Sequence, residues 1–162
     1  MTVTGVEPPL FRQLLGRFAS GVTVLTTTDA RGNPVGMTAS SVASVSLSPP
    51  LLLVAVSREN EMHPALAAAR HFGLSVLAAD QEALARRFAE ETDHRFRDVA
   101  HGTSANGIPV LDGVVASIEC EKHAALPAGD HTIFIGLVIG GTTSERAPLL
   151  YYRGAYAGLA RR

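Results

Sequence analysis

Gly36-Met37-Thr38-Ala39-Ser40-Ser41-Val42-Ala43-Ser44-Val45-Ser46-Leu47-Ser48-Pro49-Pro50-Leu51-Leu52-Leu53-Val54-Ala55-Val56 is the stretch on which the fold turns. Up to Ser48 its small and β-branched residues suit an extended chain. Six of the eleven residues from 38 to 48 carry hydroxyls. In a continuous strand Thr38, Ser40, Ser44 and Ser46 share one face, and Ala39, Ser41, Ala43, Val45 and Leu47 the other. Pro49 and Pro50 close the segment, because neither has an N–H to give a sheet ladder. Residues 51–56 are apolar on both faces, as in a strand covered on both sides.

Outward from there, strands dominate. Before it, Pro8 and Pro9 suit a first helical turn, and Leu10, Phe11, Leu14, Leu15 and Phe18 recur at helical spacing until Gly21. Residues 22–28 are rich in β-branched residues and read as a strand. A turn over 29–34 leads to a second strand from about Val35. After it come a short helix behind Pro64, a strand over 72–77, and a helix to Ala89 with Asp80 as N-cap. In that helix Glu82 pairs with Arg86 four residues on, while Leu84 and Phe88 share a face. Residues 92–107 read as a long polar loop. Further strands are expected over 114–122, 131–139, 149–152 and 155–159. With no regular alternation of strand and helix, the expectation is a mainly β, antiparallel barrel with two or three short flanking helices, in one domain over residues 1–162. Ile133, Ile135, Leu137 and Ile139 would line one face of their strand, Phe134 and Val138 the other. A barrel strand apolar on both faces needs an outer cover, and a second copy of the chain is the favoured one.

Composition narrows the chemistry. Net charge is −1, with 14 Lys and Arg against 15 Asp and Glu, so no basic field attracts nucleic acid. The single cysteine, Cys120, excludes an intrachain disulfide and a cysteine-rich zinc site. It alternates onto one face with Val114, Ala116 and Ile118, which reads as a buried, inert thiol. Met1-Thr2-Val3-Thr4-Gly5 has neither the basic start nor the apolar run of a leader, and no apolar run is long enough for a membrane span. A cytoplasmic protein without membrane contact is expected. The glycines form no G-x-G-x-x-G or Walker pattern, and neither G-x-S-x-G nor H-E-x-x-H occurs. Histidines 63, 71, 94, 101, 123 and 131 lack metal-helix spacing, so no metal is expected.

What remains is the hydroxyl-rich stretch. Its small side chains let a ligand approach the backbone, where hydroxyls and N–H groups hydrogen-bond ring heteroatoms or phosphate. The same pattern equally fits an amphipathic strand whose serines face water. Arg86 and Arg87 could each grip a phosphate; with Glu82 nearby, Arg86 is read as a surface ion pair and Arg87 as facing a ligand.

Six blocks then fall in order: Phe18-Ala19-Ser20-Gly21-Val22-Thr23-Val24; Gly36-Met37-Thr38-Ala39-Ser40-Ser41; Ser44-Val45-Ser46-Leu47-Ser48-Pro49-Pro50-Leu51; Ala85-Arg86-Arg87-Phe88; Gly129-Asp130-His131-Thr132-Ile133-Phe134-Ile135-Gly136; and Leu150-Tyr151-Tyr152-Arg153-Gly154-Ala155-Tyr156. Over nearly its whole length the chain resembles the flavin reductase-like family. That resemblance implies an antiparallel Greek-key split barrel and a homodimer. It implies one flavin, FMN or FAD, per subunit near the dimer interface. It further implies hydride transfer from NADH or NADPH, and delivery of reduced flavin to a partner monooxygenase. Carried over by position, Thr38, Ala39, Ser40 and Ser41 would contact the isoalloxazine ring. Ser46, Ala55, Val56 and Ser57 would approach the ribityl chain and phosphate, with Arg87 and Phe88 on the phosphate side. His131 would be the catalytic residue on the nicotinamide side, near Tyr152, Arg153, Gly154 and Tyr156. Many relatives carry Asn where Ser40 and Ser57 stand here.

Hydride transfer needs no protein nucleophile. It needs two stacked rings and donors for the charge that develops on one of them. Small hydroxyl residues, backbone N–H groups and one histidine are adequate. The alternatives are a flavin-binding barrel without general reductase activity and a barrel used only as a scaffold.

Overall fold

The computed structural model describes residues 4–90 and 93–160. Met1, Thr2 and Val3 of the leader reading, and Thr92 at the start of the expected loop, lie outside the described residues. In chain order the elements are α1 (Pro8–Leu15), β1 (Ser20–Gly21), β2 (Thr23–Thr28), β3 (Pro34–Ala39), β4 (Val42–Leu47), β5 (Pro50–Ser57), α2 (His63–Ala68), β6 (His71–Val76), α3 (Glu82–Glu90), β7 (His101–Thr103), β8 (Pro109–Leu111), β9 (Ala116–Ala128), β10 (His131–Thr143), β11 (Leu149–Tyr152) and β12 (Ala155–Gly158).

Seven strands form one antiparallel sheet in the order β3-β2-β6-β9-β10-β5-β4. Its two edges, β3 and β4, are joined by only Ser40 and Ser41. Seven flat strands would hold their edges roughly 29 Å apart, and a two-residue link cannot bridge that. The sheet therefore curls until its edges come together at the hydroxyl-rich stretch. Beyond the link Ser41 O accepts the Ala55 N–H at 3.2 Å.

Inside the curl Leu25, Leu52, Val54, Val56, Leu66, Phe72, Leu74, Cys120 and Phe134 form the main core. Gly136 is required there: a Cβ at that position would lie 2.6 Å from Phe72 Cζ and 2.7 Å from Cys120 Cβ. A second cluster of Val22, Val24, Leu77, Ala85, Phe88, Val99, Leu111 and Leu149 seats α3. A separate sheet, β1-β11-β12, carries the C-terminal hairpin.

Several expectations change. The stretch from 36 to 48 is not one strand. It breaks at Ser40–Ser41 and bulges between Ser44 and Ser46, so Thr38, Ser40, Ser44 and Ser46 share no common face. Pro50 opens β5, paired with Leu47, because a first strand residue can lack the N–H. β5 alternates: Leu52, Val54 and Val56 are buried, while Leu51, Leu53 and Ala55 stay half-buried. Asp80 does not cap α3. Its carboxylate pairs with Arg146, and Gln81 occupies the cap position, with its carbonyl accepting the Ala85 N–H. The polar loop contains β7, which pairs with β8. β9 and β10 each extend to 13 residues, because they pair with one another past the point where their own patterns fade.

Cys120 is fully buried, and desolvation, with the Glu119 charge beside it, pushes its thiol up to about 12. It is the inert thiol the sequence suggests. Among the described residues no helix is long and apolar enough to cross a membrane.

Three apolar surfaces stay uncovered. α1 buries none of its residues: Leu10, Phe11, Leu14 and Leu15 are all exposed, and Phe18 beyond it is 78% exposed. On β4 Val45 is exposed and Leu47 is 92% exposed. On β10 Phe134 points inward, while Ile133, Ile135 and Leu137 are half-buried and Ile139 is exposed.

Candidate functional site

Strand register brings part of the expected site together. β5 and β10 pair Ser57 with His131 and Ala55 with Ile133. Residues directly opposite share a sheet face, so Ser57, Ala55 and His131 lie together on the outer face, all half-buried. The β3–β4 link joins them through Ser41, whose Oγ donates to Ala55 O at 2.7 Å. Ser40 and Ser41 lie outside both ladders, so strand pairing does not take their N–H groups. Small hydroxyl side chains, backbone donors and a histidine thus share one edge of the barrel.

His131 opens β10 directly after the tight turn at Gly129, where φ is +61°. Its Nδ1 lies 2.6 Å from Asp130 Oδ1, an orientation that leaves Nε2 for a ligand. The hydrogen bond and charge of His131, helped by Arg58, hold the Asp130 carboxyl below the usual carboxylate range. Arg58 also fixes the turn from the β5 side. Its side chain donates to Gly129 O, and its N–H donates to Asp130 O at 3.0 Å.

Around α3 the picture is more mixed. Thr38 is half-buried and its Oγ1 donates to Ala85 O at 2.6 Å, which anchors β3 to the helix. Arg86 pairs with Glu82 at 2.7 Å, as expected, and its guanidinium lies 4.9 Å from the Tyr156 ring centroid. Burial pushes the Tyr156 phenol up, with Arg86 pulling it partly back. Arg87 donates to the carbonyls of His94 and Arg97, so it ties down the segment after α3. Phe88 and Val56 are fully buried in the core and Ala39 is 5% exposed. The side chains of these three pack into the two core clusters rather than onto the barrel surface. Ser46 is half-buried on β4, while Tyr152 is exposed.

Ser40, Ser41 and Ser44 are exposed, so within one chain the hydroxyl face is open. Four of the clefts among the described residues have volumes from about 270 to 640 Å³. Three are lined by none of the expected site residues, and the fourth takes in Arg153 and Gly154. It also contains Arg12 and Arg17, which sequence reasoning missed: they gain meaning only when the fold brings the two ends of the chain together.

Comparison with known proteins bears on the family and the fold. The FMN reductase (NADH) SmoA of Agrobacterium fabrum is 42% identical over 151 residues, covering 93% of this chain and 86% of that protein. The reductase component of a flavin-dependent trigonelline monooxygenase from Acinetobacter baylyi is 42% identical over 145 residues, 90% of this chain and 47% of its own length. Among solved structures, the NADH:FAD oxidoreductase SgcE6 of Streptomyces globisporus, in complex with NAD and FAD fragments, superposes with a TM-score of 0.90. It is 40% identical and covers 98% of each chain. The flavin reductase like domain matches residues 15–160. An antiparallel barrel closed by a hydroxyl-rich link, with His131 beside it, is thus the frame of a chain that belongs to the flavin reductase-like family.

Proposed function

We propose that this chain is a single-domain NADH-dependent flavin reductase that acts as a homodimer and supplies reduced FMN or FAD to a monooxygenase. The observation that carries the reading is the cluster formed where the barrel edges meet. There Ser41 is tied to Ala55 through both its carbonyl and its Oγ, beside the Ser57–His131 pair. The donor set fits a planar heterocycle. Hydroxyls and unladdered N–H groups can meet ring heteroatoms, and no large side chain in the link blocks close approach.

Thr38, Ser40 and Ser41 would hold the ring edge. Ser46, Ser57 and the backbone at Ala55 would face the ribityl phosphate. Bound there, flavin supplies the hydride acceptor. His131 orients the nicotinamide through Nε2, with Asp130 fixing the imidazole from the other nitrogen, and Tyr152, Arg153, Gly154 and Tyr156 extend the dinucleotide side. Arg87, Phe88, Ala39 and Val56 support this surface from beneath.

The open hydroxyl face and the uncovered apolar surfaces of α1, β4 and β10 favour the dimer. A second copy covers both, burying Leu47 and Phe18 and closing the cradle. NADH is preferred as donor by analogy with the NADH reductases it resembles. The test crosses FMN and FAD with NADH and NADPH, following nicotinamide oxidation at 340 nm. Flavin-dependent NADH oxidation is expected, and no oxidation in any combination would remove the proposal.

A further inference from the structure

We infer that Arg95 is a positioning residue for the flavin: its guanidinium sets the separation between β3, which leads into the Ser40–Ser41 link, and the chain that leaves β5 beyond Ser57. Arg95 Nη1 donates to Gly36 O at 2.8 Å, and its Nη2 lies 2.7 Å from Glu61 Oε1. Gly36 stands two residues before Thr38, and Glu61 four residues after Ser57. One planar fork therefore joins the two stretches that hold the ring edge and the ribityl phosphate in the reductase reading, on which this inference rests. The Arg95 side chain is only 11% exposed. A guanidinium withdrawn that far from water is costly unless its arms are engaged, which sets it apart from a solvated surface pair.

Three features of the surroundings give Arg95 this task. β3 is an edge strand with β2 as its sheet neighbour, so its outer side has no ladder to fix it. Thr38 Oγ1 on Ala85 O holds one point of β3, and Arg95 on Gly36 O holds another two residues earlier. Second, the segment that carries Arg95 is itself anchored to α3. Phe96 meets Phe88 edge-on with ring centroids 5.0 Å apart, and Arg87 donates to the carbonyls of His94 and Arg97 at 3.0 and 2.5 Å. β3 lies on the same helix: a Cβ at Gly36 would come within 3.1 Å of Phe88 Cε1. Third, side-chain packing does not close the space beside Arg95. A cleft of about 590 Å³ opens there, with Gly36, Glu61, Met62 and Arg95 among its walls. A binding site is only as preorganised as the groups behind it are held, so losing this fork lets the cradle widen.

The experiment titrates FMN and FAD into the wild type, Arg95→Met, Arg95→Lys and Glu61→Gln, reading flavin fluorescence, with circular dichroism to verify folding. Arg95→Met removes both arms, Arg95→Lys keeps the charge without the fork, and Glu61→Gln removes the ion pair alone. Flavin Kd should rise about tenfold in Arg95→Met and several-fold in the other two, because preorganisation is lost rather than a ligand contact. In steady state the flavin KM should rise in step, with kcat at saturating flavin changed by less than about twofold. The Glu61 side chain is 50% exposed, so Glu61→Gln carries the test if Arg95→Met does not fold. Flavin Kd unchanged in the folded variants, whatever their Tm, overturns the inference, since a merely structural pair would lower Tm alone. Shifted Kd with no NADH oxidation by any of the proteins leaves Arg95 in its role and removes the reductase reading. NADH oxidation by the wild type with unchanged Kd in the variants removes Arg95 alone. A wild type that binds neither flavin overturns both.

Discussion

The interior of the barrel and its rim follow different rules. Inside, Phe72, Phe134, Leu74, Val54 and Val56 are buried to completion, and the one thiol is shut away among them. At the rim, small hydroxyl residues sit unladdered at the β3–β4 link, and leucines and phenylalanines on α1 and β4 face outward. A protein selected for stability alone would not leave Leu47 almost fully exposed. The interior accounts for the fold, whereas the rim carries the surfaces that the proposed flavin and subunit contacts would use.

This contrast can be broken or sharpened by experiment. The largest effect concerns Cys120. Its thiol is pushed up to about 12 from an ordinary 9.0, so near pH 8 the native chain holds about a thousandfold less thiolate than an unfolded one. Raising a thiol's value favours the protonated form, so iodoacetamide should label Cys120 in urea and spare it in the native protein. Rapid native labelling would show that the interior opens.

Next, Phe134→Ala removes a fully buried ring from the main core and should destabilise by about 3–5 kcal/mol, read as a fall in Tm on the order of 10 °C. A smaller effect is expected at His131. His131→Ala should lower kcat/KM for NADH by roughly ten- to a hundredfold without abolishing turnover, because stacking of the two rings does not depend on it. Kinetics unchanged with NADH would take His131 out of the site. Ser41→Ala loses the hydroxyl that meets Ala55 O, a bond worth about 1 kcal/mol, and should raise the flavin KM several-fold with little change in Tm.

Smallest in stability is Leu47→Glu. Diluted to monomer, it should differ from wild type by under about 0.5 kcal/mol in urea unfolding, since the side chain is 92% exposed in one chain. The same variant should run as a monomer in light scattering where the wild type runs as a dimer. An unaltered mass would place the rim leucines outside any subunit contact.

The interior was the legible part. The β-branched-rich run at Thr23–Thr28 marks a strand buried on both faces, and the pattern around Cys120 places that thiol in the core. The three-residue strands β7 and β8 were missed because so short a pairing carries no periodic signal. The ends of β9 were missed because Ala124, Ala125 and Ala128 have weak strand preference and are held by pairing with β10. At the rim the hydroxyl stretch stands out by composition, but its geometry has no local signal: the break at Ser40–Ser41 and the bulge near Ser46 depend on closure of the sheet. Likewise α1 reads as an amphipathic helix, but nothing in its spacing says that its apolar face has no cover within its own chain.

The central claim is that the rim cradle holds a flavin where NADH can reduce it. Its most direct measurement is anaerobic stopped-flow: protein mixed with oxidised FMN, then with NADH, followed at 450 nm. The account predicts loss of flavin absorbance in a single NADH-dependent phase whose rate falls in His131→Ala. Full flavin absorbance retained while FMN is demonstrably bound would contradict it.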